Sequence, residues 1–164
     1  MADELRTERL LLRRATMADA PAMFRIMSDA RAMRYWSSLP HQDLAQTEVW
    51  LQSMVDADLA TSDDFIVTLG GKLVGKLGAW KLPEVGFLID ADAWGKGYAS
   101  EGLAAFIARR CALGSTHLTA DVDPRNLASL RLLERHGFTE THREARTFQI
   151  GEEWVDSIYL AVTL

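Results

Sequence analysis

One cysteine, Cys111, is all the thiol chemistry in this chain of 164 residues. A single cysteine makes no intrachain disulfide and no cysteine-based zinc site. Glycine, at 11 residues, and proline, at 4, are not enriched, which excludes collagenous and low-complexity classes. No apolar run approaches the ~20 residues that cross a bilayer. In the opening stretch the apolar run Leu10-Leu11-Leu12 is too short for a signal peptide and charges flank it. Basic runs are missing as well, and the net charge is -5. A nucleic-acid binder needs a basic patch to displace counterions from phosphate. These absences point to a soluble, cytoplasmic protein with neither nucleic acid nor membrane as a partner.

What is present is ordinary globular material, 48% apolar and 25% charged, enough to bury a core without staples. No repeat or linker interrupts it, so residues 1–164 read as a single domain. Residues 8–14 read as a first strand. Thr16 stands as a helix N-cap with Asp19 three residues on, a variant of the capping box. Ala20, Phe24 and Met27 follow at helical spacing. A second helix runs from about residue 43 to 59, with Leu44, Val49, Leu51 and Val55 on its apolar side. Strands over residues 65–69 and 73–80 flank Gly70-Gly71, a hairpin signal. After Pro83 comes a short strand over residues 84–90, then a glycine turn and a helix over residues 98–112. A strand over residues 116–122 and a helix over residues 126–136 follow, with Gly137 at the C′ position. Two strands, residues 138–150 and 154–164, close the chain around Gly151-Glu152. The order βααβββαβαββ mixes hairpins with crossover helices, so the fold class is α+β, or mixed α/β, and not a doubly wound parallel sheet.

The chemistry concentrates in the segment from Phe87 to Glu101, which runs strand, glycine turn, helix. Gly95 and Gly97 let backbone approach a ligand closely. Successive amides leading into a helix N-terminus suit a phosphate or pyrophosphate. Lys96 adds charge at the rim. No Walker Gly-Lys-Ser/Thr follows, and Gly102 falls too late for a dinucleotide fingerprint.

About thirty residues downstream stand Asn126-x-x-Ser129 and Glu134-x-x-Gly137-Phe138. With this block, the segment Trp94-Gly95-Lys96-Gly97-Tyr98-Ala99 resembles the Gln/Arg-x-x-Gly-x-Gly/Ala acetyl-CoA loop of the GNAT superfamily of N-acetyltransferases. Thr7-Glu8-Arg9-Leu10-x-Leu12-Arg13 with Asp19-Ala20 resembles the opening of the Rim-type branch, the ribosomal-protein-alanine N-acetyltransferase-like enzymes. Trp154-x-Asp156-Ser157-x-x-Leu160 is similar to that branch's last strand. The resemblance spans nearly the whole chain.

The resemblance implies a GNAT-like fold, a central mixed sheet splayed like a V and flanked by helices, with acetyl-CoA in the cleft. It places Phe87, Leu88 and Ile89 on the strand that pairs with the pantetheine arm. Gly95, Lys96, Gly97, Tyr98, Ala99 and Ser100 match the pyrophosphate loop, and Asn126 the pantetheine side of the next helix. Many relatives carry a tyrosine that protonates the leaving thiolate. Leu133 occupies that position here, and Ser129, one turn earlier on the same face, takes the role that Rim-type enzymes give a serine.

Acetyl transfer requires a deprotonated amine, a stabilised thioester oxygen and a protonated leaving thiolate. Glu84 is the candidate base. It begins the cofactor strand, in the Glu-Ile/Val-Gly position of Rim-type relatives, and is expected to point to the open part of the V. A backbone amide near Leu88 or Ile89 meets the oxyanion, by the resemblance. Glu101 reads as an acid favoured by a helix N-terminus, and Cys111 as core rather than nucleophile, which favours direct transfer. His41, His117, His136 and His142 show no metal spacing, so no metal is expected. The acceptor pocket is expected from the first two helices and the last hairpin. Tyr35, Trp36 and Trp154 are the substrate-binding candidates, with Trp50 the fourth aromatic there. At least two of the four are expected to be simply buried, and those that line the pocket would hold a cationic amine.

The sequence thus points to transfer of acetyl from acetyl-CoA to a primary amine, a peptide or protein N-terminus or a small molecule, by a monomer or homodimer. The alternatives are transfer of a larger acyl group, or a non-catalytic acyl-CoA-binding or regulatory module.

Overall fold

The structure, a computed structural model, describes residues 3–164. The chain opens with a hairpin of β1 (Glu4–Arg6) and β2 (Leu10–Arg13), where the sequence suggested one strand. The Thr7 amide donates to the Leu10 carbonyl at 3.0 Å and closes that turn. Asp19 accepts from the Thr16 amide at 2.9 Å, and a single 3-10 turn then feeds α1 (Ala20–Met27). A one-turn α2 (Ala30–Met33) precedes α3 (Leu44–Val55). Then follow β3 (Asp63–Leu69), β4 (Lys72–Lys81), β5 (Glu84–Ile89), α4 (Tyr98–Ala112), β6 (His117–Val122), α5 (Leu127–Arg135), β7 (Thr139–Ile150) and β8 (Glu153–Thr163).

The eight strands form one mixed sheet in the order β1-β2-β3-β4-β5-β6-β8-β7, and the fold is mixed α/β. Period-two alternation sends Val85, Phe87 and Ile89 of β5 to one face and Leu88 to the other. On the first face α4 and α5 pack Leu103, Phe106, Leu132 and Leu133 over the sheet. On the second, α1 to α3 pack Met23, Ile26, Met27, Met33, Leu51 and Met54 over Ile66 and Leu88. The expected apolar side of α3 is corrected here. Val49 is 74% exposed, whereas Thr47 is buried, because its hydroxyl meets His41 Nδ1 at 2.7 Å. That helix also stops at Val55, capped by Asp56, and Leu59 stays exposed. Asp63 is buried among Arg14, Arg109 and Arg110 and ties β3 to α4. Among the described residues, no helix is long and apolar enough to cross a membrane.

All neighbouring strands run antiparallel except β5 and β6. Those two touch at one pair, Glu84 with Thr119, supported by the Thr119 amide on the Pro83 carbonyl at 3.0 Å. From Val85 onward β5 follows β4 while β6 follows β8, so the sheet opens into a V. A bulge between Gly78 and Lys81 lies beside the point where they part, and bulged strands bend.

Candidate active site: the cleft between β5 and β6

The V holds a cleft of about 1490 Å³ that passes between the two faces of the sheet. One wall is the β5 edge from Val85 to Ile89, which no strand among the described residues pairs on the β6 side. Backbone amides and carbonyls on such an edge seek partners. At its end Asp90 caps a 3-10 turn and the chain reaches Gly95 (φ 75°) and Gly97 (φ 80°). Both sit in the left-handed region that glycine enters without penalty. Gly97 is the N-cap of α4, and the first amides of that helix have no intrahelical partner. This strand-turn-helix corner is suited to an anion.

The loop is held from behind by residues that sequence reading undervalued. The Trp94 indole donates to the Ile89 carbonyl at 3.0 Å. Arg9 donates Nη1 to the Lys96 carbonyl at 2.8 Å and lies 4.7 Å over the Tyr98 ring. Its Nε donates to Glu101 at 2.6 Å, and Glu101 also accepts from Thr7 Oγ1 and the Arg9 amide. Burial alone would raise the Glu101 carboxyl; these donors outweigh it and hold it below the ordinary range. Glu101 is therefore the clasp between β1–β2 and the loop, not only a helix-terminus acid. The opening motif around Thr7 and Arg9 was the available signal. Of the ten expected cofactor residues, Phe87, Leu88, Ile89, Gly95, Gly97, Tyr98, Ala99, Ser100 and Asn126 line the cleft. Lys96 does not: between two left-handed glycines its side chain turns outward, and Arg9 holds its carbonyl.

The opposite wall is α5. Asn126 caps it, accepting from the Ser129 amide at 3.2 Å. Among the described residues the Ser129 hydroxyl has no hydrogen-bond partner, and it faces the cleft beside Leu133. Ser100 Oγ and His136 Nε2, 2.7 Å apart, join the start of α4 to the end of α5.

On the other face of the sheet the structure corrects two expectations. Glu84 lines the cleft at the closed vertex of the V, where β5 still meets β6, and not toward the open part. Crowding by protein there raises its carboxyl, and the charge of Asp121 raises it further. Tyr35, Trp36 and Trp50 line the cleft half-buried, but Trp154 does not: it stacks under Arg146, 5.1 Å from the guanidinium, on the last hairpin. None of the four aromatics is fully buried, contrary to expectation. Trp80 and Phe148 complete the aromatic lining instead, and nothing in their local sequence marks them. Cys111 is exposed rather than core, and it lies outside the cleft. Among the described residues no cluster of His, Cys, Asp and Glu has metal-binding geometry.

Residues 9–139 match the family described as Acetyltransferase (GNAT) domain. The chain is 29% identical over 146 residues to the uncharacterized N-acetyltransferase p20 of Bacillus licheniformis, covering 83% of this chain and 82% of that one. It is 27% identical over 168 residues to an L-methionine sulfoximine/L-methionine sulfone acetyltransferase of Pseudomonas aeruginosa, covering 93% and 94%. Its fold superposes on RimL, the ribosomal L7/L12 alpha-N-protein acetyltransferase, in complex with coenzyme A, with a TM-score of 0.85, 18% identity and 98% of each chain covered. The glycine corner, the open β5 edge and the family match agree, and the chain belongs to the GNAT acetyltransferase domain family of acetyl-CoA-dependent N-acetyltransferases.

Proposed function

We propose that the cleft performs direct acetyl transfer, with acetyl-CoA along the α4 and α5 side and a primary amine entering from the aromatic side. The observation that carries this reading is the through-going cleft itself. It joins an unpaired strand edge and a glycine corner on one face to a raised carboxylate among aromatic rings on the other. The β5 edge at Phe87 to Ile89 suits the amide-bearing arm of the cofactor, and Gly95, Gly97 and the α4 amides suit its pyrophosphate. The amine nitrogen attacks the thioester carbon, the carbon–sulfur bond breaks, and the nitrogen's proton passes to Glu84 or through water to it. Ser129, whose hydroxyl is unengaged, donates to the departing sulfur. The acceptor is a small amine or a peptide N-terminus; the relatives' acceptors, an amino-acid derivative and a protein α-amino group, are of these two kinds.

A free-thiol assay with a panel of amines and N-terminal peptides tests the reading. Glu84→Gln and Ser129→Ala should each lower kcat by about 10- to 100-fold, at or below the low end of acid–base assistance, while acetyl-CoA affinity changes little. Binding of acetyl-CoA without thiol release for any acceptor would mean a non-catalytic acyl-CoA-binding module instead.

A further inference from the structure

On the aromatic side of the sheet, Asp64, Gly78 and Gly86 lie in one lateral row across β3, β4 and β5. Gly86 leaves the sheet bare there, since a Cβ on it would meet nothing within 4 Å, while Asp64 Oδ1 leans over Gly78, 2.9 Å from where a Cβ would stand. At the edge of this bare floor stands an ion pair, Asp64 Oδ2 to Lys76 Nζ at 2.7 Å. Both residues line the cleft, yet they are only 6% and 3% exposed. Trp36 covers the ammonium, its ring centroid 5.8 Å away. Asp64 Oδ1 is buried and, among the described residues, has no hydrogen-bond partner.

A buried ion pair is a poor source of stability, since apolar residues of similar size often replace it without loss. A buried carboxylate oxygen left without a donor is a further cost. Both costs fall at a position that faces the cleft. We infer that Asp64 and Lys76 recognise a second polar group of the acceptor, an uncharged group that enters as the half-buried Trp36 ring turns aside and donates a hydrogen bond to Asp64 Oδ1. The inference rests on the proposed acetylation of an amine at the β5 edge. Charge selects a neutral group: Lys76 already balances Asp64, an added anion would face Asp64 and Glu84, and an added cation would sit against Lys76. Geometry sets the span. Two strand spacings put the Asp64 backbone about 10 Å from that of Gly86. The proposed cofactor arm lies a third spacing beyond β5, about 14 Å from the Asp64 backbone, and a carboxylate reach of about 3 Å with a hydrogen bond of about 3 Å leaves the donor about 8 Å from the nucleophilic nitrogen. Trp36 and Trp80, which line the same cleft, supply apolar surface for the aliphatic stretch. The occupant is a primary amine on a linker of roughly five carbons ending in a hydroxyl or carboxamide.

Three isosteric amines test this, aminopentanol, hexylamine and cadaverine, which differ only in a terminal hydroxyl, methyl or ammonium. The wild-type enzyme should favour aminopentanol in kcat/KM by at least about tenfold over both, because the wrong terminus leaves Asp64 unpaired or Lys76 opposed. In Asp64→Leu/Lys76→Met, which removes both charges together, that preference should fall below about twofold. Acetyl-CoA should still raise the Tm of the double variant, which reports an intact cofactor side. Turnover of all three amines without preference in the wild type, or a preference that survives in the double variant, overturns this inference alone. Failure of every amine, with acetyl-CoA still bound, overturns the acetylation reading and this inference with it.

Discussion

Glu84 and Asp121 share the vertex of the V, one on each of the two strands that part there. Crowding raises the Glu84 carboxyl first and the Asp121 charge raises it further, and Asp121 is itself raised by the protein crowded around it and by Glu144, against a hydrogen bond to Ser157. A raised carboxylate is a better base near neutral pH, but it is lost to protonation earlier as pH falls. Removing a neighbouring negative charge lowers a carboxyl's pKa. Asp121→Asn should therefore move the acid limb of the kcat/KM profile to lower pH, and Glu84→Gln should flatten that limb. A pH series with one good amine decides it; a limb unmoved in Asp121→Asn would remove this pair from control of the base. Glu84 was legible as the acid that begins β5. Its partner was not, because the contact that joins them crosses from β5 to β6 and leaves no spacing signal.

In the turn from β5 into α4 the proposed phosphate contacts fall to backbone. Gly97 takes φ 80° as the N-cap of α4, and a Cβ there would stand 3.4 Å from Arg9 Nη2. A β-branched residue in this region costs on the order of 1–2 kcal/mol before any ligand arrives, and it also covers the amides. Lys96, by contrast, is exposed outside the cleft, where charge is screened by solvent. Gly97→Val should weaken coenzyme A binding by tenfold or more, and Lys96→Ala by less than about threefold, in titration calorimetry. The reverse order would point to a side-chain phosphate site. Elements of this kind were readable because glycine punctuates them: Gly70 and Gly71 both have positive φ in the β3–β4 hairpin, Gly137 ends α5, and Gly151 turns the last hairpin. The face of α3 was not readable. A helical repeat gives no preference between Val49 and Thr47 until His41 supplies the hydroxyl's partner. Likewise Glu101 finds its donors 92 to 94 residues away, and Trp80 replaces Trp154 in the cleft only because of how the strands fold back.

At the scale of the whole molecule, the sheet is two half-sheets, β1 to β5 and β6, β8 and β7, that share one strand pair at Glu84 and Thr119 and one apolar core beneath α4 and α5. The gap between them is where the proposed ligand lies, so binding should couple the halves as well as occupy a site. A ligand that binds only the native state stabilises it by mass action, about 2.7 kcal/mol at a concentration 100 times Kd. For a chain of this length each kcal/mol is worth roughly 2–4 °C in Tm, so acetyl-CoA at that excess should raise Tm by about 5–10 °C. The location of the effect is the sharper reading. Hydrogen exchange should slow most at the unpaired β5 edge, residues 85–89, and at residues 95–100, where amides without a strand or helix partner gain one from the ligand. The β1–β2 hairpin, outside the cleft, should change only by the global gain. A Tm that does not move, or protection spread evenly over the sheet with none concentrated on the β5 edge and the glycine corner, would place the cofactor elsewhere than in the V.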